Sequence, residues 1–164
     1  MKFKKIFIDL DGVLANFNDG FIEIANTHPD GFEDEFVETK FWETVYGNPS
    51  FFFDLKPYGY VSKLVQACKD KSIETVCILS APSRVNTPLC MIQKRKWVDK
   101  HLGDNFPAIF TKDKYKYAAP DCLLIDDHKK NIDKWVKAGG IGFLFHPDEP
   151  IEKMLIFLKR EVVL

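Results

Sequence analysis

Hydrophobic positions along the chain fall into short blocks of two kinds. "KIFIDL" (5–10), "IETVCILS" (73–80), "PAIFT" (107–111), "DCLLIDD" (121–127) and "IGFLFH" (141–146) are compact apolar runs rich in β-branched and aromatic residues, which predict buried strands. Between them the apolar positions recur at helical spacing. In "YGYVSKLVQACKDK" (58–71), Val61, Leu64, Val65 and Cys68 fall on one face. "TPLCMIQKRKWVDKHLG" (87–103) reads as a helix with Thr87 as N-cap, Pro88 in the first turn and Gly103 as terminator. "KNIDKWVKAGG" (130–140) is a helix stopped by paired glycines, and "PIEKMLIFLKRE" (150–161) is a closing helix. Strands alternating with helices predict an α/β fold with a doubly wound, Rossmann-like parallel sheet.

Residues 16–56 break the rhythm. They are rich in Phe, Trp and acids, carry helical stretches such as "NDGFIEIANTH", and show no clear strand. The simplest reading is a core of residues 1–15 and 57–164 with a small helical cap, residues 16–56, inserted after the first strand.

Composition narrows the class. With 164 residues, 46% of them hydrophobic and 15 of them Phe, the chain can bury one sizeable core and is not disordered. A formal net charge of −1 gives no electrostatic argument for long nucleic acid or an acidic membrane surface. No apolar run approaches the roughly 18 residues that span a bilayer, and "MKFKKIFIDLDG" lacks the apolar core and cleavage site of a signal peptide. Cys68, Cys77, Cys90 and Cys122 are widely spaced with no CxxC, which points to reduced core residues and a cytoplasmic protein.

The polar residues fall where such sheets bind ligands, at the carboxyl ends of the strands. The first strand delivers Asp9 and Asp11, followed at once by Gly12; the second ends in Ser80; "TKDK" with Lys112 and Lys114 follows the third; the fourth ends in Asp126 and Asp127. Singly, each has an ordinary reading: a DG turn, a hydroxyl cap, a solvated lysine loop, acids at a helix start. Together they put repelling carboxylates on one rim, an arrangement that calls for solvent or a cation. Hard oxygen ligands suit Mg²⁺, and a hydroxyl with an ammonium suits phosphate oxygens. A further acid is then free for proton transfer, and a carboxylate attacking phosphorus would form an aspartyl-phosphate.

"DLDGV" (9–13) resembles the DxDG[TV] motif of the haloacid-dehalogenase-like phosphohydrolases, and Ser80, Lys114 and Asp126-Asp127 match that family's hydroxyl, lysine and acidic-pair motifs in order. A closer resemblance is to the 5'(3')-deoxyribonucleotidase branch, through "DLDGVLANF", "NPSFFFDLKPYGYV", "KRKWVDKHLG", "TKDK" and "LLIDD". The resemblance implies a Mg²⁺-dependent phosphatase acting on nucleoside monophosphates, with Asp9 as nucleophile and Asp11 as general acid and base. It implies that Ser80, Ala81 and Lys114 hold the phosphate, and that Mg²⁺ lies between Asp9, the Asp11 carbonyl and the pair Asp126 and Asp127. Phe17 and Trp42 would face the nucleoside, with Arg84 and Lys112 near cationic substrate contacts. Ala81 and His128 stand where that branch has a hydroxyl and an arginine, which bears on base preference. The expected partner is a small nucleotide, with neither membrane nor long nucleic acid, and a homodimer is compatible with the sequence. The alternatives are another small phosphate ester or a polynucleotide 3'-phosphate end as substrate. A phospho-receiver module fits less well, because its acidic pair precedes its acceptor and this chain has the reverse order.

Overall fold

The computed structural model describes residues 2–29, 35–83 and 85–159. Five parallel strands, β1 (Phe3–Ile8), β2 (Ser72–Ser80), β3 (Ala108–Phe110), β4 (Cys122–Asp126) and β5 (Ile141–Leu144), form one sheet in the order β3-β2-β1-β4-β5. β1 is central, with Ile8 in register with Ile78 on one side and Ile125 on the other. The strand order reverses direction between β1 and β4, so the crevice expected of such a sheet opens at their carboxyl ends.

The middle of the sheet is covered on both faces, which is why its strands read as unbroken apolar runs rather than as alternation. Every residue of β4 and the last five of β2 are buried. One face packs Ile6, Ile8, Ile78, Leu123 and Ile125 against helix α4 (Val61–Lys71) and its neighbours. The other packs Phe7, Cys77, Leu79 and Leu124 around Trp135 of α6 (Lys129–Lys137), with the Phe7 and Trp135 rings edge to face at 5.4 Å. Helix α4 buries Val61, Leu64, Val65 and Cys68, the face that periodicity predicts. All four cysteines are buried and unbridged. Among the described residues, no helix is long and apolar enough to cross a membrane.

Helix α5 (Thr87–Leu102) starts one residue away from expectation. Its N-cap is Asn86, held in the left-handed conformation at φ 47°, and Thr87 is instead the first helical residue, its hydroxyl donating to the Ser83 carbonyl at 2.9 Å. Gly103 ends the helix at φ 101°, a conformation that favours glycine. The closing helix α7 (Glu152–Lys159) buries Met154 and Leu158.

Between β1 and α4 lie three helices, α1 (Phe17–Ala25), α2 (Glu35–Gly47) and α3 (Phe51–Asp54), and no strand among the described residues. Asn16 caps α1, its side-chain oxygen accepting the Asp19 N–H at 3.1 Å. Aromatic rings hold these helices together: Phe21 stacks on Phe41 at 4.4 Å, and Phe17 meets Phe21, Phe41, Phe51 and Phe52.

Buried and exposed faces of the helices that cover the sheet should differ sharply on truncation. Leu64 is fully buried against the sheet, whereas Ile156 of α7 is 51% exposed. Leu64→Ala should cost about 2–5 kcal/mol and Ile156→Ala less than about 1 kcal/mol. Urea midpoints at unchanged slope measure both.

Candidate active site

The first strand does not end cleanly. The Asp9 N–H still bonds the Ile125 carbonyl of β4 at 2.9 Å, and only then does the chain turn. The Leu10 carbonyl gathers the N–H groups of Leu14 and Ala15 at 2.8 and 2.9 Å, which coils residues 10–15 into a tight loop at the rim. Gly12 sits in that loop at φ 74°, and a Cβ there would lie 2.2 Å from Oδ2 of Asp127. Glycine is therefore required twice over, by backbone conformation and by the closeness of the acid.

Asp9 is buried. Its Oδ1 accepts the Leu10 N–H at 2.8 Å and its Oδ2 meets the Lys114 ammonium at 2.9 Å. Lys114, on a short 3-10 turn after β3, also donates to Oδ2 of Asp126 at 2.6 Å. Asp126, with no exposed surface, is further satisfied by the His128 N–H at 2.8 Å and by the Asn131 amide, which donates to Oδ1 at 3.1 Å and Oδ2 at 3.0 Å. Asp127 is less well served. Its Oδ1 is buried with no hydrogen-bond partner.

A second ammonium stands opposite. Lys94 of α5, 2% exposed, donates to Oδ2 of Asp11 at 2.6 Å, to the Ser80 hydroxyl at 3.1 Å and to the Ala81 carbonyl at 2.7 Å. Sequence reasoning missed it, because a lysine within "IQKRKW" reads as a solvated helix face. It missed Asn131 too, although a polar residue one turn into the helix that follows an acidic pair is a usable signal.

The electrostatics follow from burial. Desolvation raises the Asp11 pKa, and the neighbouring Lys94 offsets that only in part. Burial, then repulsion from Asp9, raises that of Asp126 against the pull of Lys114. For Asp127, burial followed by the charges of Asp9 and Asp126 pushes the carboxyl up to about 8. Burial works against both ammonium groups, but the carboxylates around them outweigh it and hold Lys94 and Lys114 above the ordinary lysine value.

Asp9, Asp126 and Asp127 each present an oxygen, all within 4.8 Å of one another. Three hard donors, one with an oxygen lacking any partner, fit a small divalent cation such as Mg²⁺. The Asp11 carboxylate lies outside this group, on Lys94, which leaves only its carbonyl for the role the sequence suggests.

The rim opens into a cavity of about 550 Å³. Asp9, Asp11, Ser80, Ala81, Lys114 and Asp127 line one part of it; Phe17, Phe41 and Trp42 line another. Phe17 and Trp42 pack in the aromatic cluster and face the cavity as well. An adjoining lobe of about 370 Å³ shares Asp11, Phe17 and Trp42 and adds Lys94, Lys112 and Ser83. Lys112 thus borders the space without entering the ionic cluster, and Arg84 lies outside the described residues. Ser83 also joins the hydroxyl of Tyr46, tying α2 to the loop after β2.

The chain is 28% identical over 146 residues to the mouse mitochondrial 5'(3')-deoxyribonucleotidase, a match covering 75% of this chain and 64% of that enzyme. It is also 28% identical over 150 residues to the human cytosolic-type 5'(3')-deoxyribonucleotidase, covering 75% and 70%. The chain thus matches just under two thirds of the mouse enzyme's length. Among solved structures, a HAD-family enzyme from Bacteroides thetaiotaomicron, crystallised as a magnesium complex, superposes with a TM-score of 0.55 at 16% identity over 94% of this chain and 98% of that one. The fold is that of the haloacid-dehalogenase-like hydrolases. The family model that matches residues 4–152 is described as 5' nucleotidase, deoxy (pyrimidine), cytosolic type C protein, and the chain belongs to that family.

Proposed function

We propose that the protein is a phosphatase that hydrolyses nucleoside monophosphates, with Asp9 as nucleophile and Mg²⁺ as cofactor. The observation that carries the reading is a single cavity that joins an ionic floor, Asp9 with Lys114 and Ser80, to an aromatic wall of Phe17, Phe41 and Trp42. One end suits a phosphate dianion and the other an apolar ring. Residues 16–56 act as a cap over a core of residues 1–15 and 57–164, and family membership supports a nucleotide as substrate.

Lys114 and the Ser80 hydroxyl supply donors to phosphate oxygens, and Lys94, its three N–H groups held by Asp11, Ser80 and the Ala81 carbonyl, adds positive charge beside them, so developing negative charge meets preorganised partners. A carboxylate oxygen of Asp9 bonds to phosphorus as the bond to the nucleoside oxygen breaks. Asp11, whose pKa burial raises, gives its proton to that leaving oxygen. It then takes a proton from a water, whose oxygen attacks the aspartyl-phosphate, frees inorganic phosphate and restores the Asp9 carboxylate. Asp9, Asp126, Asp127 and the Asp11 carbonyl would hold Mg²⁺, which, when bound, neutralises charge on the carboxylates and the phosphate.

The cation requirement predicts that EDTA abolishes phosphate release and that added Mg²⁺ restores it; undiminished turnover in chelator would sink the mechanism. Proton and cation should also compete. With its pKa at about 8, against an ordinary value of 3.8, Asp127 holds its proton in the folded protein through the intervening range. That contribution to stability is complete below the lower value and is lost as pH rises through the upper one. Asp127 must release the proton to accept Mg²⁺, so the rise in melting temperature on adding Mg²⁺ should be larger at pH 8 than at pH 6.

Asp9 and Asp11 should fail differently. Asp9→Asn should remove activity on every substrate. Asp11→Asn should lose about 10²–10⁴-fold on nucleotides and distinctly less on nitrophenyl phosphate, whose leaving group barely needs a proton. Equal losses on both substrates would remove Asp11 from the acid role.

Phe17→Ala and Trp42→Ala each delete wall surface worth about 1–3 kcal/mol if a base stacks there. Turnover of deoxynucleotides should fall by about tenfold or more, and that of nitrophenyl phosphate by less. Parallel losses on both substrates, with a lowered melting temperature, would assign the two rings to packing alone.

A further inference from the structure

Helix α3 has four residues, too few to hold itself together in water. Its N-cap, Ser50, makes no capping bond to the backbone. The missing cap comes from α5. Gln93, a polar side chain only 5% exposed, accepts the Phe52 N–H at 2.9 Å and the Phe53 N–H at 3.4 Å, and donates to the Pro49 carbonyl at 2.9 Å. One turn further along α5, the indole N–H of Trp97 donates to the carbonyl of Leu55, the residue after α3, at 2.6 Å. Both ends of α3 are thus fixed by one helix.

That helix also carries Lys94, the residue next to Gln93, whose ammonium touches Asp11 and Ser80. The aromatic side comes from α3: the Phe51 ring stands edge-on to Phe17 at 5.3 Å, and Phe52 lies 6.3 Å from Phe17 and 5.2 Å from the Lys94 ammonium. Consecutive residues of α5 therefore hold the phosphate end and the backing of the aromatic wall. We propose that Gln93 is a positioning residue that fixes the spacing between wall and floor, and so governs affinity for the nucleoside part of the substrate and not for its phosphate. The inference rests on the nucleotide reading above.

Two substitutions isolate the effect. Gln93→Met keeps the length and loses the hydrogen bonds; Gln93→Glu, held as the neutral acid by burial, keeps the acceptor for both N–H groups and a donor toward Pro49. In the Asp9→Asn background with Mg²⁺ present, calorimetry with a deoxynucleoside monophosphate and with inorganic phosphate reads the two ends separately. Gln93→Met should weaken nucleotide binding by about tenfold and phosphate binding by less than about threefold, and Gln93→Glu should recover most of the loss. With Asp9 intact, Gln93→Met should raise KM for nucleotides more than it lowers kcat. If both ligands weaken together, if neither does, or if Gln93→Glu is no better than Gln93→Met, the positioning role is overturned. Should Gln93→Met not fold, Gln93→Asn, which withdraws the amide by one methylene, is held to the same outcomes. A protein with Gln93 intact that binds the nucleotide no better than phosphate overturns the nucleotide reading itself, a result distinct from any failure of Gln93.

Discussion

Everything at the rim follows from the need to keep four carboxylates together with little water. Asp9 and Asp126 are buried, and each such group taken from solvent costs several kcal/mol unless it is paired. Two ammonium groups supply the pairing. Lys114 bridges Asp9 and Asp126, and Lys94 takes Asp11. Oδ1 of Asp127 and Oδ1 of Asp11 are left buried without a hydrogen-bond partner. The site's four carboxyl groups outnumber its two lysines, and the excess is concentrated beside the three oxygens that approach one another. A divalent cation there would complete the charge balance.

The sheet explains why those groups meet. β1 lies between β2 and β4, so its last residues emerge between the ends of its two neighbours, with Ser80 on one side and Asp126 on the other. The strands supply the chemistry, and the segment between β1 and α4 supplies the apolar surface. Nothing in the sheet itself fixes the distance between the two. That distance is set from α5, which reaches the floor through Lys94 and α3 through Gln93 and Trp97.

Much of this was legible in the sequence, for identifiable reasons. Strands buried on both faces announce themselves as dense apolar runs, and carboxylates at their ends stand out because they gather on one rim. The alternation of elements implied the parallel order, and the register of β1 with β2 and β4 placed Asp9 near Asp126 as expected. The polar residues of α5 were not legible. Gln93 and Lys94 sit among lysines and arginine in "IQKRKW", a composition typical of a solvated helix face, yet they are 5% and 2% exposed because α3 and the rim close over them. Burial by a distant segment leaves no local signature. The start of α5 was shifted for a local reason: Asn86 can adopt a left-handed conformation, and the Thr87 hydroxyl finds the Ser83 carbonyl instead of a helix N–H.

The central place of β1 also bears on the order in which the molecule can assemble. Its first partner strand begins only at Ser72 and its second only at Cys122, so neither edge of β1 can be filled by a neighbour close in sequence. Pairings that close such long loops form late and slowly. During synthesis the loop bearing Asp9 precedes the strand that anchors it by most of the chain, and until β4 docks, Lys114 and Asp126 are not in place beside it. The acidic residues therefore stay in water while the nascent chain is flexible and come together only with the last central pairing. A chain truncated before Cys122 would hold an apolar first strand with one edge open to association.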